Sequence, residues 1–510
     1  MAPAAVAVLV GGAFACRAQE QCRACHPREV AAFEASPMGN SVGKPKVETA
    51  ARLYHQASNS TIIIRRHGSD MEHRVEHRGV SASYLAAYSV GAGLVGHSYL
   101  VRIGKYFFQS PVSFYTQTHS WDVTPGYEGK QHLDFTRQIS SECLFCHTGT
   151  LHLVAGTTNQ FEDPPFTAIS CERCHGPSRE HLVKPVPGSI VNPAKLPARE
   201  RDSVCEQCHL EGVARILNPG RDWWDYKPGD PLEKTFVAYL EGTGSTSVRA
   251  VSHSEQLAQS RCARASGGRL WCGTCHNPHG SRIDRAAQVR QACLSCHQSL
   301  FGGAKHAPAD ECVTCHMPRL RPADVAHSAV TDHRIVRTPM PQSPQVPVAK
   351  AALRPWREPD STVAQRDLGL AYFEWTADHA DPDKLANAYE LLSNLPPGAR
   401  DPKVLADLAS ILLQHGKHGL AVQLFAKAAH AEPTNARYAY CLGEAQERTG
   451  NLFAAIEELR RSIRLDPSQA DTYLSLAHIY EAMGRQAQKE QVIREYLRFM
   501  PQNIRLRSSD

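Results

Sequence analysis

The chain has 510 residues, a formal net charge of +5 and 42% apolar residues, with 17 cysteines and 26 histidines. That length allows about two to four domains. So small a net charge gives no electrostatic case for a nucleic-acid partner. Fourteen of the cysteines fall in one repeated pattern and only Cys16, Cys262 and Cys441 are left over, which excludes a disulfide framework.

Residues 1–18 read as a secretory signal: an apolar stretch runs from Ala4 to Ala15 and ends in the small-x-small sequence Ala13-Phe14-Ala15. The basic start of such a signal is missing, and lipidation at Cys16 is the lesser alternative, because Ala13 stands where a Leu-like residue is expected. The apolar run is shorter than a bilayer span, so no transmembrane segment is expected beyond the signal.

Residues 19–337 form the next unit and contain Cys-x-x-Cys-His seven times. The copies are Cys22, Cys25 and His26; Cys143, Cys146 and His147; Cys171, Cys174 and His175; and Cys205, Cys208 and His209. They continue with Cys272, Cys275 and His276; Cys293, Cys296 and His297; and Cys312, Cys315 and His316. Two thiols of one copy can add across the two vinyl groups of a haem, and the adjoining histidine can bind its iron as the proximal ligand. A zinc ribbon also uses Cys-x-x-Cys but has no need of a histidine directly after each second cysteine. At this composition a single copy arises by chance about 0.03 times. Seven covalent haem c groups are therefore expected. As ferric haems with ionised propionates they add about −7 charges, leaving roughly −2.

Within that unit, residues 60–118 read as a small β insertion. Residues 61–66 and 71–75 flank Gly68-Ser69-Asp70, and residues 99–103 and 106–109 flank Gly104-Lys105, both hairpin patterns. Elsewhere the motifs are separated by short Pro- and Gly-rich loops with little periodicity, as expected where porphyrins rather than helix faces fill the core. Residues 338–360 carry six prolines and read as a stiff spacer.

Residues 361–502 repeat with a period of 34: Gly416, Gly450 and Gly484; Pro433, Pro467 and Pro501; Leu408, Leu442 and Leu476. This resembles tetratricopeptide repeats, with a divergent first copy around Leu368–Tyr372 and a tail at 503–510. About four helix pairs are expected to stack as an α-solenoid on its own linker, offering a face for a protein partner; a plain helical cap is the alternative. Cys441 falls inside a repeat helix, as a small buried residue.

The sixth ligands must come from the remaining histidines. His181 follows His175 by six residues and His279 follows His276 by three, while His306, His327 and His333 cluster around the last motif. His55 and His253 are weaker candidates. His67, His73 and His77 are expected to be solvated on the hairpin, and His119 and His132 are undecided.

The haem region resembles cytochrome c-554-type multihaem cytochromes fused to tetratricopeptide repeats. The resemblance rests on the first motif with Ser36-Pro37-Met38, on Cys171–Pro177, Cys272–His279 and Cys312–Pro318, and on His327–His333. It implies a mainly α, haem-packed domain and an exported, periplasmic or otherwise extracytoplasmic protein with a redox partner. Relatives often carry histidine where Met38 stands, so Met38 is an alternative distal ligand. The wider group contains enzymes as well as carriers. No Cys-x-x-Cys-Lys motif occurs here, against lysine-ligated nitrite reductase chemistry. Electron transfer is the leading expectation. A haem oxidoreductase acting on a small nitrogen or sulfur oxyanion at one open iron is the alternative, with Arg102, Arg137 and Arg173 available to an anion; a scaffold with structural or sensory haems is a third.

Overall fold

A computed structural model of the chain describes residues 20–162, 166–242, 248–280, 285–298, 311–337 and 352–504. The expected signal, Cys16, His306 and residues 338–351 of the expected spacer lie outside them. No helix among the described residues is long and apolar enough to cross a membrane.

After helix α1 (Pro27–Glu34) comes a sheet far larger than the hairpin insertion expected at 60–118. It has eight strands: β1 (Val42–Gly43), β2 (Ala51–His55), β3 (Ser60–His67), β4 (Asp70–His77), β5 (Val80–Val90), β6 (His97–Ile103), β7 (Tyr106–Tyr115) and β8 (Ser120–Val123). β2 to β8 form an antiparallel meander, and β1 pairs with β5. β2 and β8 come together, so the sheet curls toward a barrel. Both expected hairpins are present, with His67 opposite Asp70 and Ile103 opposite Tyr106. The β4–β5 turn is made by Arg78 and Gly79, both at positive φ, which suits a two-residue hairpin turn. β5 is Ala- and Ser-rich and broken by a bulge, so it lacks the clean alternation that marks a strand in sequence.

Alternation on β4 points Met71, His73 and Val75 into the core and Glu72, Arg74 and Glu76 outward. His73 is therefore fully buried, not solvated as expected from its hairpin setting. It contacts Ser110 Oγ at 2.8 Å and meets Tyr99 and Trp121 edge-on. Burial holds its pKa down at about 3.

The motif region is short helices and loops. They are α2 (Ser141–His147), α3 (Glu172–His175), α4 (Arg179–Val183), α5 (Ala198–His209), α6 (His253–Gln259), α7 (Arg261–Ala265), α8 (Cys272–Cys275), α9 (Arg285–His297) and α10 (Cys312–His316). Strands β9 (Ala214–Leu217) and β10 (Phe236–Glu241) form a small sheet, and β11 (Arg319–Leu320) pairs with β12 (Val330–Thr331). The third strand of the small sheet is β13 (Leu353–Pro355), which lies in the stretch expected to be a spacer.

Eight helices follow in four hairpins: α11 (Ala364–Asp378) with α12 (Pro382–Ser393), α13 (Pro402–Gln414) with α14 (His418–Ala431), α15 (Ala436–Arg448) with α16 (Leu452–Leu465), and α17 (Ala470–Ala482) with α18 (Gln486–Phe499). Asp401 and Asn435 cap the starts of α13 and α15. Gly443 explains one close hairpin: a Cβ there would meet Leu459 at 2.8 Å.

These helices share their cores with the rest of the protein. One buried cluster joins Ile62, Val101 and Phe108 of the sheet to Leu459, Leu476 and Tyr496. A second joins Ile216, Tyr239 and Leu353 to Leu370, Leu408 and Phe425. Asp466 accepts from Thr158 N at 3.1 Å, Arg366 Nη1 donates to Leu217 O at 3.1 Å, and Gln502 exchanges two hydrogen bonds with the backbone of Ser83. Asn503 and Ile504, expected in the tail, are buried.

Candidate metal centres

The motif thiols stand where thioether bonds to haem would form, and they bring the motifs into contact out of chain order. Cys22 neighbours Cys171, Cys146 neighbours Cys208, Cys205 neighbours Cys272, and Cys293 neighbours Cys312, each close enough to shift the other thiol's pKa. Cys174 is close enough to Cys205 and Cys208 to act on both electrostatically, and Cys275 acts on Cys293 in the same way. The seven motifs thus form one connected series: first, third, fourth, fifth, sixth, seventh, with the second joined at the fourth. Spacing in the sequence carries no signal for this order.

Four motif histidines face a second histidine. The His175 and His279 rings are stacked at 5.7 Å and 10°, with their Nε2 atoms 3.5 Å apart. Metal–imidazole bonds of about 2 Å put the two nitrogens about 4 Å apart across an iron, so this pair already has nearly the required spacing. His26 faces His181 at 6.4 Å, His209 faces His253 at 5.2 Å, and His276 faces His333 at 6.2 Å. His253 also meets His333 at 4.8 Å, so motifs four and five share a four-histidine cluster.

Hydrogen bonds at the other ring nitrogen fix which atom each histidine presents. Nδ1 of His175 meets Val191 O at 2.7 Å, that of His316 meets Val336 O at 2.7 Å, and that of His333 meets Thr331 O at 2.9 Å. A carbonyl can only accept, so each Nδ1 carries the proton and Nε2 keeps its lone pair for a metal. His181 Nδ1 meets Ser189 Oγ at 2.8 Å. Burial favours the neutral, ligating form elsewhere. It lowers the pKa of His147 to about 4 and of His253 to about 3, and lowers that of His279, with neighbouring histidines as smaller causes.

The same criterion sets two candidates apart. His55 is held through both nitrogens, by Ser58 Oγ at 2.8 Å and Glu128 O at 2.9 Å. His327 spends Nε2 on Asp122 at 2.6 Å and packs on Tyr115. Both are tied into the β sheet and its edge. Met38 opens a short turn, Met38–Asn40, and the next residue, Ser41, donates to His147 O at 2.7 Å.

The arginines proposed for an anion are each engaged separately. Arg102 donates to Gly104 O, Arg137 to Pro125 O, and Arg173 to Phe145 O. Sequence reasoning missed Arg215, which pairs with Glu142 at 2.8 Å beside Cys146. It also missed His97, buried in the sheet and bonded to Tyr99 Oη at 3.0 Å; the alternation of residues 97–101 was the available signal.

Two family profiles match parts of the chain: "Doubled CXXCH motif" at residues 264–302 and "Cytochrome c554 and c-prime" at residues 113–176. The chain is similar to "Multiheme cytochrome MtrA" of Shewanella baltica (strain OS185), with 28% identity over 197 residues, or 35% of this chain. That alignment spans 59% of the relative's length. Among solved structures, "Crystal structure of MamA" is matched at 16% identity and TM-score 0.24 over 28% of this chain and 86% of that one. "MamA AMB-1 P212121" is matched at 28% identity and TM-score 0.23, over 27% and 71%. Scores that low leave the repeat reading to rest on the helix hairpins themselves. The repeated attachment motifs indicate covalent haem c binding, and over the stretches matched the chain is similar to multihaem c-type cytochromes.

Proposed function

We propose that the chain is an exported, extracytoplasmic electron conduit with seven covalent haems, one at each Cys-x-x-Cys-His motif. The observation that carries this reading is the linkage of all seven motifs into one series through neighbouring cysteines. Haem iron, once bound, supplies reversible one-electron chemistry. The polypeptide attaches each group, holds neutral imidazoles in line through Nδ1 bonds, and brings consecutive motifs together.

His26 with His181, His175 with His279, His209 with His253 and His276 with His333 are the four pairs that would hold a haem iron between them. Two imidazoles saturate an iron and leave it no site for substrate, which favours conduction over catalysis. The helical hairpins are read as tetratricopeptide-like repeats that brace the haem region along one side and offer their remaining surface to a protein partner.

Intact mass of the matured protein tests the count: seven haem masses above the polypeptide are expected, and five or fewer would refute it. Exposure of the reduced protein to carbon monoxide tests the role. Minimal binding is expected of a conduit, whereas binding at one iron together with rapid turnover of nitrite or hydroxylamine would transfer the reading to the oxidoreductase.

A further inference from the structure

The first helices of the four hairpins, α11, α13, α15 and α17, lie side by side, and their charged residues reach from one helix to the next. Lys403 of α13 bridges Glu374 of α11 at 3.2 Å and Asp407 of its own helix at 3.0 Å. Arg437 of α15 is near enough to Asp407 to act on it electrostatically. Glu444 of α15 accepts from Ser475 Oγ of α17 at 2.5 Å, and Glu447 meets His478 Nδ1 at 3.0 Å. Asp471 of α17 shares Tyr440 as a neighbour with Glu444. These bridges make one continuous strip. Along it Glu374, Asp407, Glu444, Glu447 and Asp471 stand against Lys403 and Arg437, an excess of three negative charges.

Two features set this strip apart from ordinary solvated surface. Burial pushes the pKa of Glu374 up to about 7 and raises that of Asp407, with Lys403 opposing both shifts. Two crowded carboxylates sharing one lysine gain from the arrival of a further cation. The strip also leads to the haem region. Glu142 is a neighbour of Glu374, directly precedes Cys143 of the second motif, and pairs at 2.8 Å with Arg215, which lies beside Cys146. At the far end Asp471 is exposed, and the His478 side chain is 71% exposed.

We infer that this strip is the docking face for a basic redox protein, which it steers to the second motif, the branch of the thiol series. An acidic face attracts a lysine-rich one through space, and the attraction speeds encounter more than it tightens the complex. Small, short-lived interfaces of that kind suit electron transfer. The inference rests on the conduit reading above and gives the partner a charge and a place.

The test is stopped-flow oxidation of the reduced, full-length holoprotein by a small lysine-rich cytochrome c, at a pH above the Glu374 value of about 7. One electron leaves a ferrous haem of this chain and enters the ferric haem of the probe, with no proton or group moved. The parent is compared with E444Q/E447Q/D471N and with D70N/E72Q/E76Q, which makes the same change in net charge on β4. Each is checked for haem content by mass. At an ionic strength of about 0.01 M the strip variant should react about tenfold more slowly, and its rate should fall less steeply with added salt. The β4 variant should stay near the parent. Equal rates in parent and strip variant would refute the inference, as would equal slowing in both variants or a parent rate that does not fall with salt. Should the triple variant not mature, D471K reverses one exposed charge and should slow the reaction in the same direction; an unmoved rate there refutes it equally. A full haem count with unmoved rates overturns this inference alone, whereas a short haem count overturns the conduit reading.

Discussion

Replacing Asp466 tests whether the helical hairpins and the haem region stand or fall together. Asp466 ends α16, is fully buried, and reaches out of the array to the loop after the second motif. Oδ2 accepts from Thr158 N at 3.1 Å, and Oδ1 accepts from Ser468 N at 2.9 Å and Ser468 Oγ at 2.6 Å. D466A strands the buried N–H of Ser468 and the half-buried N–H of Thr158, at about 1–3 kcal/mol each with the Thr158 share at the low end, while the Ser468 hydroxyl can turn to Asn159 Oδ1, 3.0 Å away. The expected loss is about 2–4 kcal/mol, a large share of the usual stability of a folded unit. Denaturant unfolding followed by far-UV circular dichroism reports the helices, and Soret absorbance reports the haem sites. If the clusters joining sheet and helices form one core, both midpoints fall together. A helical midpoint that falls while the Soret midpoint stays put would refute this and restore an array folding on its own linker.

Further outcomes follow from the same contacts. H279A should turn one haem high-spin or water-ligated and shift one redox step, read by electron paramagnetic resonance; an unchanged low-spin spectrum would dissociate His279 from His175. By the nitrogen criterion, H55A and H327A should leave the haem spin states as in the parent, and a new high-spin signal in either would return that histidine to the distal ligands. His73 and His97 have folded pKa values of about 3 and about 4, below the ordinary 6.5, because burial penalises their charged forms. Between those values and 6.5 the unfolded chain binds more protons, so their contribution is complete above pH 6.5 and is lost as pH falls toward 4 and 3. H73F should flatten that acid limb in a stability–pH profile, and an unchanged slope would refute it.

What could be read from the sequence, and what could not, divides by the range of the forces involved. Cysteine and histidine spacing within five residues is local covalent chemistry, so every attachment motif is visible in the chain. The 34-residue period is equally local, since each hairpin repeats the same packing problem, and Gly416, Gly450 and Gly484 fall at positive φ in three of the four turns between paired helices. The sheet was only partly visible. Its hairpins at 60–77 and 97–109 show β-branched and aromatic runs around glycine-bearing turns, but β5 pairs along 11 residues with few large apolar side chains and relies on its neighbours for burial. β13 was hidden because its role is set by partners more than 100 residues away in β10.

Distal ligation shows the same division more sharply. Proximity in sequence nominated His181 and His279 as ligands, but each meets the proximal histidine of a different motif: His181 meets His26, and His279 meets His175. A short tether keeps His181 near the third motif, whose Cys171 neighbours Cys22 of the first, and so it meets His26; His279 of the fifth motif meets His175 of the third, two places away in the thiol series. On that pairing the ligand would cross to the haem of another motif, and each such crossing would fix two distant segments to one iron. In a region with few long helices, those crossings would do the work that side-chain packing does in the sheet and in the helical hairpins. Loss of a single distal histidine should thus loosen contacts between motifs far apart in the chain, while leaving the covalent attachment at both of them intact.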